Sequence, residues 1–289
     1  MYNKPLEYLL DNSPIKTISK VGILIRQAIS PVLRLAIPLT LKTKLKIVRK
    51  EALPQTPVIF ASTHGFKEDI EDAVLLADRQ AFILIGSLSQ VFKSFQGYTA
   101  WIAGTILVNR SDKDSRKASK AKMILALQQG ASIIIFPEGT WNKSPNLMMN
   151  GLFPGVYDVA KESGALVVPL ATMRDGKYVY GIREKAFDIT QYDRLEGVDI
   201  LRQTLASMRW ELMETIPPAK REDFPYGVEA DHYWNSYINS LMSEVKYYDY
   251  EEELNTKYVD KNITSSKDAF EHLQKLIPSK ANAFLFRKR

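Results

Sequence analysis

One histidine in this chain stands where a base would be useful. His64 follows the apolar run Val58–Ser62 in STHGFKED, and Asp69 comes five residues later. On one continuous helix that separation turns two side chains about 140° apart, so they could not meet. With His64 on a strand-exit loop and Asp69 in the first turn of the next helix, the carboxylate can fold back onto the imidazole. It would then fix the ring tautomer and favour the protonated ring, which is what a carboxylate does for a histidine base. The plainer alternative is a structural His–Asp pair. Two further apolar runs end in polar residues: GTILVNR closes on Arg110, and IIIFPEGT closes on Glu138, Gly139 and Thr140. A fourth run, LVVPLA, carries Pro169. Buried strands ending together in His, Arg and Glu would build one polar cluster at a sheet edge, where α/β sheets place their ligand sites.

Much other chemistry is excluded. The 289 residues contain no cysteine, so disulfides, thiol nucleophiles and thiolate metal sites are absent. The remaining histidines, His232 in DHYWN and His272 in FEHLQ, have no paired motif and read as structural. There is no H-E-x-x-H, no P-loop, no dinucleotide glycine fingerprint and no G-x-S-x-G elbow. With 45% hydrophobic and 25% charged residues, the composition is that of an ordinary globular protein.

The elements that must hold those residues alternate. Strands are predicted at Lys46–Val48, Val58–Ser62, Ala81–Ile85, Thr105–Val108, Ser132–Phe136, Leu166–Leu170 and Tyr178–Ile182. Most are uninterrupted and β-branched, as strands buried on both faces are. Helices are predicted between them at Glu68–Asp78, Lys113–Gln129 and Gly155–Glu162, the last two closed by Gly130 and Gly164. The expected fold class is α/β, a mostly parallel or mixed sheet flanked by helices. Beyond Ile200 the pattern turns helical, at Arg202–Thr215, Asp231–Lys246 and Ser266–Leu276. Three regions follow: 1–44 as amphipathic basic helices, 45–199 as the α/β domain and 200–289 as a helical extension.

Charge is uneven along the chain. Residues 1–50 hold ten basic side chains against Glu7 and Asp11, a local +8, whereas the whole chain carries +6. Within this stretch Val21, Ile25, Ala28, Ile29 and Val32 fall on one helix face. Arg26, Pro31, Arg34 and Pro38 argue against a membrane span, and Ser30-Pro31 reads as the start of a second short helix. No small-residue cleavage pattern follows the run, which argues against a signal peptide. Two readings stay open. The helices lie in a bilayer interface with Lys and Arg on anionic headgroups, or they pack their apolar face onto the core. A nucleic-acid arm is disfavoured, because the basic residues interleave with aliphatics instead of aromatic platforms. The basic run Arg116, Lys117, Lys120 and Lys122 is equally a steering surface or a solvated helix face.

Taken in order, His64-x4-Asp69, Gly104-x5-Arg110, Phe136-Pro137-Glu138-Gly139-Thr140 and Val168-Pro169-Leu170 resemble the four motifs of the glycerolipid acyltransferase family, which includes the bacterial 1-acylglycerol-3-phosphate acyltransferases. The likeness covers roughly residues 45–190. It implies acyl transfer from a CoA or acyl-carrier-protein thioester to the sn-2 hydroxyl of lysophosphatidate, with no covalent acyl-enzyme. His64 would take the hydroxyl proton, Asp69 would orient His64 and Arg110 would hold the acceptor phosphate. Glu138, Gly139 and Thr140 would position the acceptor. It implies no cofactor beyond the thioester co-substrate and no metal. The expected partners are an anionic membrane surface, the glycerolipid acceptor and acyl-carrier protein, with no nucleic acid. The enzyme would lie peripherally on the cytoplasmic face. Two residues depart from the family pattern. Thr63 precedes His64 where Asn is common, and Trp141 follows the third motif where Arg is usual, with Lys143 a candidate substitute. A different lyso-lipid acceptor, or a non-catalytic membrane-binding role on the same fold, are the alternatives.

Overall fold

The structure, a computed structural model, describes residues 4–66, 68–86, 95–142 and 148–216, together with positions 229, 232, 233, 235, 236, 239 and 240. The chain opens with helices α1 (Lys4–Leu10), α2 (Pro14–Thr17) and α3 (Lys20–Thr40). Strands and helices then alternate: β1 (Lys44–Lys50), β2 (Val58–Ser62), α4 (Asp69–Ala77), β3 (Ala81–Ile85), α5 (Phe95–Ala103), β4 (Thr105–Leu107), α6 (Lys113–Gln128), β5 (Ser132–Ile135) and α7 (Gly155–Ser163). The hairpin β6 (Leu166–Asp175) and β7 (Tyr178–Arg183) follows, and then α8 (Arg194–Thr215).

Seven strands form one mixed sheet in the order β1-β7-β6-β2-β5-β3-β4. All neighbours are parallel except β6 and β7, whose hairpin reverses the chain. The central strands explain the apolar runs. Every residue of β2 and β5 is buried, because helices cover both faces. Phe60, Ile83, Ile134, Val168 and Leu170 pack under α4, while Ile59, Ile133, Ile135, Val167 and Ala171 face α6, α7 and α8. This register sends the ends of β2 and β5 to the same sheet edge, where their following loops meet.

Three differences from the sequence reading have physical causes. The segment around Pro31 is one helix, α3, with both prolines inside it, and not a pair broken at Ser30. Pro31 and Pro38 are exposed, so a carbonyl that loses its intrahelical partner meets solvent instead of a dry core. The helix α5 carried no clear polar face and was not predicted. Strand β6 runs five residues past Leu170, because β7 supplies antiparallel partners out to Asp175. The helix predicted at Asp231–Lys246 is helical at the positions described there, whereas Ser266–Leu276, His272 and Lys143 lie outside the described residues.

The orientation of α3 is unusual. Ile23, Arg26, Ser30 and Arg34 turn toward the protein, where Arg26 lies over the Phe82 ring and Arg34 pairs with Asp78. Val21, Leu24, Ile25, Val32, Leu35 and Leu39 are all exposed on the opposite side. The apolar face points out and the arginines point in. By length and composition alone, the helical stretch Pro14–Thr40 is sufficient to cross a membrane.

Candidate active site

His64 stands in the loop after β2, and Asp69 is the first residue of α4. The His64 ring Nδ1 lies 2.8 Å from Asp69 Oδ2. The same oxygen accepts the backbone N–H groups of Gly65 at 2.7 Å and Phe66 at 3.1 Å. Three donors on one carboxylate oxygen at a helix N-terminus leave it one geometry. Asp69 is fully buried, while the His64 side chain keeps 17% of its surface exposed. An acceptor at Nδ1 places the ring proton there and leaves Nε2 as the base.

The loop after β5 grips His64 from behind. Glu138 is fully buried; its Oε1 accepts the His64 backbone N–H at 3.1 Å and its Oε2 accepts that of Asn150 at 2.9 Å. Burial pushes the Glu138 carboxyl above the ordinary carboxylate range, opposed by the charge of Arg209 and by those two N–H donors. Asn142 N–H donates to the His64 carbonyl at 2.8 Å, so both backbone polar groups of the histidine are taken. Phe136 lies against the ring with centroids 4.5 Å apart, and Trp141 approaches edge-on at 6.0 Å. Gly139 adopts φ +68°, a left-handed turn that closes with its N–H on the Phe136 carbonyl.

Arg110 reaches the same loop, where its guanidinium donates to the Gly139 carbonyl. Arg116 in turn donates to the Arg110 carbonyl at 2.6 Å. A Cβ added at Gly86 would meet the Arg110 Nε at 2.5 Å, so glycine there leaves the guanidinium its place. Thr140 is buried beside them, with no hydrogen-bond partner for its hydroxyl among the described residues.

The first three segments singled out from sequence therefore meet at one sheet edge, and the fourth lies within β6 beside β2, where the Leu170 carbonyl accepts the Thr63 N–H at 3.0 Å. His64, Asp69, Arg110, Glu138, Gly139 and Thr140 are joined by hydrogen bonds or adjacent in one loop. Glu138 engages His64 and Asn150 through its carboxylate, so it acts on the neighbourhood by holding backbone. Sequence reasoning missed Asn142, Asn150 and the ring contacts of Phe136 and Trp141. The aromatic residues flanking Pro-Glu-Gly-Thr were the only available signal; Asn150 had none. Among the described residues, no three His, Asp or Glu side chains are grouped to hold a metal ion.

Residues 44–173 match the family model described as Acyltransferase. That stretch carries all four motifs. Among curated proteins, the chain is similar to a 1-acyl-sn-glycerol-3-phosphate acyltransferase of Chlamydomonas reinhardtii, 29% identical over 135 residues. It is also similar to the chloroplastic enzymes of that name LPAT1 of Arabidopsis thaliana and BAT2 of Brassica napus, 31% and 30% identical over 137 residues. Each match covers 46% of this chain, and the chain spans only 37% to 40% of the relatives' length. The fold is shared with the 1-acyl-sn-glycerophosphate acyltransferase PlsC of Thermotoga maritima. That crystal structure superposes with a TM-score of 0.52 at 13% identity, over 65% of this chain and 81% of the other.

Proposed function

We propose that this protein is an O-acyltransferase that moves a fatty acyl group from an acyl-CoA or acyl-carrier-protein thioester to the sn-2 hydroxyl of lysophosphatidate. The observation that carries the reading is the His64 ring, partly exposed and anchored through Nδ1 on a buried Asp69, which leaves Nε2 as the base. Nε2 takes the acceptor hydroxyl proton as that oxygen bonds to the thioester carbonyl carbon. The C–S bond then breaks, and the departing thiolate receives the proton back from the imidazole. No covalent acyl-enzyme is needed, which agrees with a chain lacking cysteine. Arg110, permanently charged and forked, suits the acceptor phosphate. The names of the similar curated proteins support lysophosphatidate as acceptor.

The outward apolar face of α3 supports peripheral association with a membrane, and we assign it to the cytoplasmic face. Six exposed aliphatic side chains would each contribute up to roughly 1.5–3 kcal/mol if fully buried in lipid. Much of the basic charge of residues 1–50 is spent internally: Lys16 on Asp11, Arg34 and Lys50 on Asp78, and Arg49 on Glu184 and Glu211. Anionic headgroups are then a secondary attraction, acting on exposed side chains such as Lys20, Lys42 and Lys44.

Trp141 favours a second acceptor reading, since an apolar ring is buried beside His64 where a further cation is usual in the family. A lysophospholipid with a larger headgroup would suit it. Acyl transfer by the purified protein, measured across a panel of lyso-lipid acceptors with CoA and carrier-protein donors, separates the two. Preference for lysophosphatidate, lost in Arg110→Ala, supports the first. Near-normal turnover by a folded His64→Ala protein ends the mechanism, and vesicle binding without any transfer by the wild type favours the non-catalytic role.

A further inference from the structure

Helix α8 lies beyond the family segment, yet two of its arginines reach the loop behind His64. Its packing does not require them, because Leu201, Leu205, Met208 and Leu212 are already buried in the core. Arg202 and Arg209 stand two turns apart on one face of the helix. Arg202 Nε donates to the Asn150 carbonyl at 3.1 Å and its Nη2 to the Met149 carbonyl at 2.8 Å. Arg209 Nη1 donates to the Met148 carbonyl at 2.7 Å, which also accepts from the Asn142 side chain at 3.2 Å. Three consecutive carbonyls, 148 to 150, are thus held by charged donors from one helix.

That loop is the link to the histidine. Asn150 offers its N–H to Glu138 Oε2, and Glu138 Oε1 holds the His64 N–H. Asn142, tied to the Met148 carbonyl through its side chain, holds the His64 carbonyl. We infer that Arg202 and Arg209 are positioning residues of the active site, fixing loop 148–150 so that Glu138 and Asn142 seat the His64 backbone. The electrostatics run the same way, since the Arg209 charge is the largest influence opposing burial of the Glu138 carboxylate. An arginine fork on two carbonyls sets an angle as well as a distance, which an apolar contact does not. The catalytic consequence rests on the acyltransferase reading; the seating of His64 does not.

The test uses the full chain labelled with 15N-histidine, whose three histidines give a sparse spectrum. Arg202→Met and Arg209→Met should each move the His64 backbone amide proton upfield and speed its exchange with solvent. The amide of His232 stays unchanged. In the same proteins kcat should fall about 10- to 100-fold, the scale of a misplaced catalytic group, with the acceptor KM within about twofold. Arg209→Lys should recover most of the loss, because it keeps a donor and a charge beside Glu138. Arg202→Lys should not, because its fork to two carbonyls is gone. Folded Met variants with an unmoved His64 amide and normal kcat overturn the inference. So do two Lys variants that behave alike and lose activity only as thermal stability falls. If the Met variants fail to fold, an unmoved His64 amide in Arg202→Lys overturns it. If the wild type transfers no acyl group, the acyltransferase reading fails, and the amide shift alone still decides the positioning role.

Discussion

The strand-end cluster and helix α3 use polar groups in opposite ways. At the strand ends, charged groups point inward and hold backbone: Asp69 grips the turn after His64, Glu138 grips His64 and Asn150, and Arg110 grips Gly139. The His64 ring is partly open, and its backbone is held from both sides. On α3 the arginines also point inward, but the helix then offers solvent an aliphatic stripe. The cluster spends its charged groups on holding backbone around one ring, while the helix spends its arginines on the protein and leaves aliphatic side chains to solvent. The same inward use of charge frames a ring in one place and leaves an aliphatic face exposed in the other.

The sharpest way to break the comparison is at the carboxylate under the histidine. Asp69→Asn keeps the shape but alters the tautomer preference of the ring, and kcat should fall roughly 10²- to 10⁴-fold. A folded Asp69→Asn enzyme with full activity would reduce the strand-end cluster to scaffolding. Next in size is the α3 stripe. Replacing Leu24, Val32 and Leu35 with Gln should weaken flotation with neutral phosphatidylcholine vesicles by roughly 30-fold or more, the equivalent of about 2 kcal/mol of lost apolar burial. Raised salt should have little effect on the wild type. Binding that survives the triple change and disappears with salt would return the docking to the basic side chains.

A third prediction concerns a second aspartate on the same helix. Asp72 lies one turn beyond Asp69 and is equally buried, but neither of its oxygens has a hydrogen-bond partner among the described residues. Burial, then the Asp69, Glu71 and Glu68 carboxylates, push it up to about 8, with Arg174 of β6 pulling the other way. Its folded value lies above its unfolded one, so the unfolded chain sheds the proton first. The resulting cost is absent below about pH 4, grows through the interval and is complete above about pH 8. Asp72→Asn should therefore raise Tm more at pH 8 than at pH 5, by about 2–4 °C for each kcal/mol regained. A gain that does not change with pH would place an ionised Asp72 in the fold and remove its contrast with Asp69.

Strands were the most legible part of the chain. Val58–Ser62 and Ala81–Ile85 have the bounds expected, because a strand covered on both faces must be apolar throughout and polar residues end it sharply. The His64–Asp69 approach was also legible, since the five-residue spacing forbids contact on one helix and permits it across a loop–helix junction. The facing of α3 was not. Its apolar periodicity serves a core and a membrane equally, and only the neighbours Phe82 and Asp78, distant in sequence, draw the arginines inward.

Local order therefore settled which residues could form strands, where the four motifs fall and that no thiol chemistry exists, because these depend on side-chain type and near-neighbour spacing. Tertiary structure decided that Glu138 holds backbone, that α3 turns its stripe outward, and that Arg202 and Arg209 reach the loop behind His64. Each of these depends on contacts between residues about 45 to 75 positions apart, and the spacing of side chains along a chain carries no record of such pairings until the sheet brings them together.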